Sequence, residues 1–93
     1  MITEHQKNII IQNLTSLSPD FIGIFGSYAR SEENTESDID ILIDPAEQTN
    51  LLDIIGAEQS LTEILNRKID LITLRSLNPN IKPFILNDLV RIV

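Results

Sequence analysis

The sequence predicts a small α/β domain. Two long stretches carry apolar residues at helical spacing, and short β-rich apolar runs alternate with them. Two of those runs flank a helical stretch long enough for a parallel crossover, which places helices on one face of a sheet.

Each element has its own signal. Ile10, Leu14 and Leu17 recur at helical spacing, so about Thr3 to Leu17 reads as an amphipathic helix, closed by Ser18-Pro19. Phe21 to Phe25 is short and apolar, a strand. Ser27 to Ser31 reads as a helical turn and Glu32 to Ser37 as polar loop. Asp38 to Ile43 is a second strand, ended by Asp44-Pro45. Leu51, Ile54, Ile55, Leu61, Ile64 and Leu65 fit one face of a helix from about Gln48 to Asn66, with Gly56 a soft spot. Lys68 to Thr73 is a third strand. Pro79 and Pro83 divide Arg75 to Asn87 into a turn and a short helix, and Leu89 to Val93 reads as a last short strand.

Length and composition limit the function. The chain has 93 residues, which reads as a single domain over residues 1–93. A chain of this size buries roughly 60–65% of its unfolded surface, too little for an added substrate domain. It has no cysteine, which excludes disulfides and Cys-type zinc sites. Nothing resembles a signal peptide, and no apolar run approaches the ~18 residues of a spanning helix. A soluble, cytoplasmic protein is expected, with no membrane partner.

The net charge is −7. Residues 1–45 hold two basic side chains (Lys7, Arg30) against eight acidic ones, whereas residues 46–93 hold five against six. No basic face is available to neutralise nucleic-acid phosphates. An acidic surface favours a basic protein partner, and a polyphosphate approaching it needs divalent cations.

The chemistry concentrates in GIFGSYARSEENTESDIDILID, Gly23 to Asp44. Alternation along a strand puts Asp38 and Asp40 on one face, where two carboxylates repel unless a cation lies between them. Mg²⁺ suits such a pair, because it takes hard oxygen ligands from one or two carboxylates and from phosphates. Upstream, Gly26-Ser27 follows a strand and opens a helical turn. Glycine permits close backbone approach, the free N–H groups favour an anion, and the Ser27 hydroxyl adds a donor. Asp70 interrupts the apolar run RKIDLIT in a similar way and could complete a three-carboxylate cluster beside the second strand. Such a cluster binds the catalytic metal and helps remove a proton from an attacking hydroxyl during in-line displacement at phosphorus.

Simpler readings stand beside these. A lone Asp at a strand entrance reads as a turn cap, and the pair behind Gly-Ser outweighs that reading. Asp70 fits a solvated edge-strand acid as well as a ligand. Arg30 fits either a phosphate contact or an exposed pair with Glu33. Tyr28 fits packing or substrate contact, and His5 reads as surface. The chain lacks G-x-x-x-x-G-K-[ST] and G-x-G-x-x-G. Phosphatases with an aspartate nucleophile place D-x-D at the end of an apolar strand; here the acids begin one.

Gly26-Ser27, ten intervening residues, and Asp38-Ile39-Asp40 resemble the G-S-x10-D-x-D signature of the polymerase-beta-type nucleotidyltransferase superfamily. GSYAR…SDIDILID, RKIDLIT and NPNIKPFILNDLVRIV look like the minimal nucleotidyltransferases over essentially the whole chain. One departure is Ser31, where these proteins usually carry glycine. The resemblance implies a mixed sheet of about four strands flanked by helices, with two Mg²⁺ ions and ATP as nucleotide donor. It implies that Gly26 and Ser27 hold the triphosphate; Arg30, one helical turn after Ser27, is a further candidate phosphate contact by its position alone. Asp38 and Asp40 would bind both metals, and Asp70 the catalytic one. It also implies an antitoxin that transfers AMP to a tyrosine hydroxyl of a HEPN-domain ribonuclease toxin. Two alternatives stay open: a non-catalytic antidote acting by occlusion, and a nucleotidyltransferase acting on a small molecule.

Overall fold

The computed structural model describes residues 2–93. The first helix, α1 (Glu4–Leu14), starts at a reciprocal cap: Gln6 N–H donates to Thr3 Oγ1 at 3.1 Å, and Thr3 N–H donates to Gln6 Oε1 at 3.0 Å. A 3-10 turn, Thr15–Leu17, continues it and ends at Ser18 in the left-handed region, φ 48°. Ile10, Leu14 and Leu17 are the buried residues of this segment, as their spacing predicts.

Strand β1 (Ile22–Phe25) leads into the short helix α2 (Gly26–Ala29), and β2 (Ile39–Ile43) follows. Helix α3 (Leu51–Leu65) connects β2 to β3 (Ile69–Thr73). Helix α4 (Lys82–Asp88) and the two-residue strand β4 (Val90–Arg91) complete the chain. Pro83 stands in the first turn of α4, where its missing N–H costs nothing. It starts that helix, whereas Pro79 lies in the turn before it.

The sheet order is β3-β2-β1-β4. β2 and β3 are parallel, as the crossover reading predicts; β1 is antiparallel to both β2 and β4. The mixed four-stranded sheet implied by the family resemblance is therefore present. Ile22, Ile24, Ile39, Ile41, Ile43, Ile69 and Leu71 belong to one buried cluster with Ile10, Leu14, Ile54 and Leu61 from α1 and α3. Alternation along the strands leaves Asp38, Asp40 and Asp70 on the opposite face.

Helix α3 departs from its predicted apolar face. Its packed stripe is Ile54, Ala57, Leu61 and Leu65, spaced by three and four residues. Leu51, Ile55 and Ile64 are 72%, 38% and 52% exposed, so they do not share that stripe. Ile55 and Ile64 each sit next in sequence to a stripe residue, hence about 100° around the helix. Gly56 is tolerated on the exposed side, within a continuous helix.

The polar side chains of α3 protect the exposed edge of β3. Glu58 Oε2 accepts the Leu71 N–H at 2.8 Å, and Thr62 Oγ1 accepts the Ile69 N–H at 3.3 Å. These donors point away from β2 and would otherwise offer a pairing edge. Glu58→Ala should leave the Leu71 N–H unpaired and lower stability by about 1–3 kcal/mol in urea unfolding. Glu58→Gln, which keeps an acceptor oxygen, should retain most of that stability. An unchanged urea midpoint for the alanine variant would show that water replaces the carboxylate.

Candidate active site

Two registers build the site. In the antiparallel pair Phe25 lies opposite Asp40, so β1 delivers the chain into Gly26 beside that carboxylate. In the parallel pair Asp40 lies opposite Asp70, one strand spacing away, about 4.8 Å. Asp38 immediately precedes β2, two residues from Asp40 and on the same face.

Gly26 is fixed by two separate requirements. Its φ is +71°, and a Cβ there would overlap Asp40 Oδ2. Glycine thus allows the turn to lie against the carboxylate, in a conformation other residues rarely adopt. Helix α2 then closes with Arg30 N–H donating to Gly26 C=O at 3.1 Å, and Glu32 N–H donates to Ser27 C=O at 2.9 Å. Ser27 is half-buried beside this turn. Tyr28, open between packing and substrate contact in the sequence, is 3% exposed and belongs to the core. His5 is exposed on α1, as expected.

The acids differ in environment. Asp40 is half-buried, and its carboxyl is pushed up to about 6 from an ordinary 3.8. Burial is the main cause, and the neighbouring Asp70 and Asp38 add like-charge repulsion. Arg30 and Lys68 partly offset this. Asp70 is exposed on the edge strand, as the solvated edge-acid reading expects, and lies directly opposite Asp40. Asp38 Oδ2 lies 3.8 Å from Lys68 Nζ, an exposed pair worth little by itself. Parallel pairing of β2 and β3 brings this lysine to the acids, a cation that a count by sequence halves puts elsewhere.

Among the described residues, no three His, Cys, Asp or Glu side chains converge closely enough to ligate one ion. The register nevertheless sets hard oxygen donors on one face, and the elevated Asp40 pKa reflects first its burial and then their mutual repulsion. That donor set fits Mg²⁺ or Mn²⁺, since a divalent cation supplies the charge the three acids lack. A groove of about 590 Å³ between α1 and α3 contains none of these acids. Its one carboxylate, Asp53, is engaged in the Asn50 cap of α3.

The loop between the two motif halves is held from a distance. Arg67 Nη1 donates to Thr35 C=O at 2.7 Å and to Asn34 C=O at 3.3 Å. Arg30 is paired as well, through Nε to Glu32 Oε1 at 2.6 Å and Nη1 to Asp88 Oδ2 at 2.7 Å. These partners replace the Glu33 pairing considered from sequence proximity. No local pattern points to Arg67 or Asp88, because both contacts close long loops.

A mixed sheet that sets a Gly-Ser turn against paired aspartates is the framework of a nucleotidyltransferase domain. Comparison with known proteins establishes the relationship: residues 6–93 match the family described as Polymerase beta, Nucleotidyltransferase, and the chain belongs to that family. It is a nucleotidyltransferase. It is 41% identical over 69 residues to the protein adenylyltransferase MntA of Thermococcus cleftensis, covering 74% of this chain and 70% of that one. It is 43% identical over 70 residues to a Methanocaldococcus jannaschii protein provisionally named a protein adenylyltransferase, covering 75% of each. Among solved structures, a chain of a toxin–antitoxin complex with AMP-PNP superposes with a TM-score of 0.85 at 26% identity, covering 94% of this chain and 72% of that one. A provisionally named minimal nucleotidyltransferase gives 0.82 at 24% identity, covering 92% and 88%, and supports the fold.

The departure at Ser31 has a conformational meaning: its φ is +57°, in the left-handed region. That conformation costs a side-chain-bearing residue about 1–2 kcal/mol, against about 0.5–1 kcal/mol for glycine's extra unfolded freedom. Ser31→Gly should therefore raise stability by up to ~1 kcal/mol in thermal or urea unfolding. A loss of stability would show that the serine hydroxyl makes a compensating contact.

Asp40 also sets a pH dependence. Between pH 3.8 and about 6 the native chain holds a proton that the unfolded chain releases, so this group lowers stability as pH rises through that window. Without metal, Asp40→Asn should stabilise the protein more at pH 7.5 than at pH 4.5, read as melting temperature relative to wild type. An equal effect at both values would show that the Asp40 pKa is not raised in the folded protein.

Proposed function

We propose that this chain transfers AMP from ATP to a tyrosine hydroxyl of a HEPN-type toxin and thereby acts as its antitoxin. The observation that supports the reading is the register Asp40–Asp70 with Gly26 lying against Asp40, because a glycine turn suited to phosphate then adjoins paired carboxylates. The relatives named as protein adenylyltransferases support the reaction, and the toxin–antitoxin neighbour holding AMP-PNP supports both nucleotide and context. The HEPN class and the tyrosine acceptor come from the family resemblance.

In this reading residues 1–93 work as one domain in the cytoplasm, and the partner brings the acceptor. Gly26 and Ser27 contact the triphosphate through backbone N–H groups and the serine hydroxyl, with Arg30 beside them. Asp38, Asp40 and Asp70 would hold two Mg²⁺ ions, which supply charge stabilisation at the transferred phosphoryl group. Asp70, exposed and opposite Asp40, would help to take the proton of the attacking hydroxyl. The acceptor oxygen bonds to the α-phosphorus, the bridge to the β-phosphate breaks, and pyrophosphate leaves. An acidic surface of net −7 favours a basic partner.

Incubation with the neighbouring toxin, labelled ATP and Mg²⁺ tests the proposal. Wild type should label the toxin, whereas Asp38→Ala with Asp40→Ala should lower transfer by at least about 10²-fold while remaining folded. Tight toxin binding without label would select the occlusion reading. Near-wild-type transfer by the double variant would remove the assigned catalytic role of these acids.

A further inference from the structure

The one cation of α2's end is held by an acid from the far end of the chain. Asp88, the last residue of α4, accepts from Arg30 Nη1 at 2.7 Å across 58 positions of sequence. Glu32 accepts from Nε at 2.6 Å. Arg30 has five N–H donors in a rigid fork, so these two bonds orient one side of the guanidinium and leave three donors. Its backbone N–H donates to Gly26 C=O at 3.1 Å, so it closes the turn that Gly26 opens against Asp40.

The two acids are not equivalent supports. Glu32 lies in a loop and its side chain is 60% exposed, whereas that of Asp88 is 29% exposed. The backbone after Asp88 is anchored on both sides. Leu89 covers Gly23 so closely that a Cβ there would meet Leu89 Cδ1 at 2.6 Å. Two residues later Arg91 pairs with that same Gly23 in the sheet. Gly23 lies in β1, the strand that runs into Gly26. Asp88 is thereby tied to the element that carries the phosphate turn.

We propose that Asp88 is a positioning residue for nucleotide binding. It fixes Arg30 so that the remaining guanidinium donors face incoming phosphates, and it makes the C-terminal helix part of the site. This inference rests on the nucleotidyl-transfer reading and adds a residue that touches neither substrate nor metal.

Titration calorimetry with AMP-PNP and Mn²⁺ tests it without any acceptor. Asp88→Asn keeps the shape and removes the charge, and it should weaken nucleotide binding roughly two- to fivefold, the range of a half-exposed ion pair. The shift in melting temperature produced by Mn²⁺ alone should stay at the wild-type value. Arg30→Gln should weaken nucleotide binding further, and adding Asp88→Asn to it should cause no additional loss. That non-additivity separates positioning of Arg30 from a general loosening of α4. Unchanged affinity in Asp88→Asn, or additive losses in the double variant, would overturn the inference alone. A wild-type chain that binds no AMP-PNP would overturn the parent reading and this inference together.

Discussion

Three carboxylates on one face of a small sheet are the constraint around which the rest of the structure is arranged. Asp40 is the centre of that constraint: half-buried, opposite Asp70 and two residues from Asp38. Its pKa is raised mainly by burial, with repulsion from Asp70 and Asp38 added, so ionising it costs free energy in the fold. Gly26 lies against it, Arg30 and Lys68 bring partial charge compensation, and neither cation neutralises the group. A divalent cation with bound phosphate would offset the imbalance, which is the physical basis of the proposed chemistry.

The framework offsets this local cost with regular structure elsewhere. Both long helices begin with reciprocal caps, Thr3 with Gln6 and Asn50 with Asp53. The β-branched cluster of Ile22, Ile24, Ile39, Ile41, Ile43 and Ile69 fills the space between the sheet and α1 and α3. The main core packs on one face of these strands and the carboxylates lie on the other, where Leu42 is buried beyond them. Alternation along β2 separates Asp40 from Ile39 and Ile41 by one residue each, so site and core share a backbone without sharing an environment.

Local patterns made the elements and the motif legible. Period two along Asp38 to Ile43 assigned both a strand and a common face for its acids, and period 3.6 identified α1 and its buried residues. Helix α3 was harder, because its six apolar positions satisfy several overlapping stripes and only contact with the sheet selects Ile54, Leu61 and Leu65. Asp70 was visible as an acid in an apolar run, but its alignment with Asp40 depends on strand register. Long-range contacts left no local trace: Glu58 on Leu71, Arg67 on the 32–37 loop, Lys68 beside Asp38 and Asp88 on Arg30 all pair residues whose spacing follows no local period.

Those long-range contacts share a direction. Arg67 reaches back from the end of α3 to the carbonyls of Asn34 and Thr35, and Asp88 reaches back from the end of α4 to Arg30. Tyr28 anchors α2 in the core, but residues 31–37, which lead on to the aspartates, contain no buried residue. Their position is set by the two helices that follow the motif in sequence. The spacing between Gly26-Ser27 and Asp38-Asp40 can consequently hold a fixed geometry in a loop: the polar termini of later elements grip it where a core cannot. The loop between Gly26-Ser27 and Asp38-Asp40 is thus tied down by ion pairs and carbonyl contacts from the second half of the chain, which also brings Asp70 opposite Asp40.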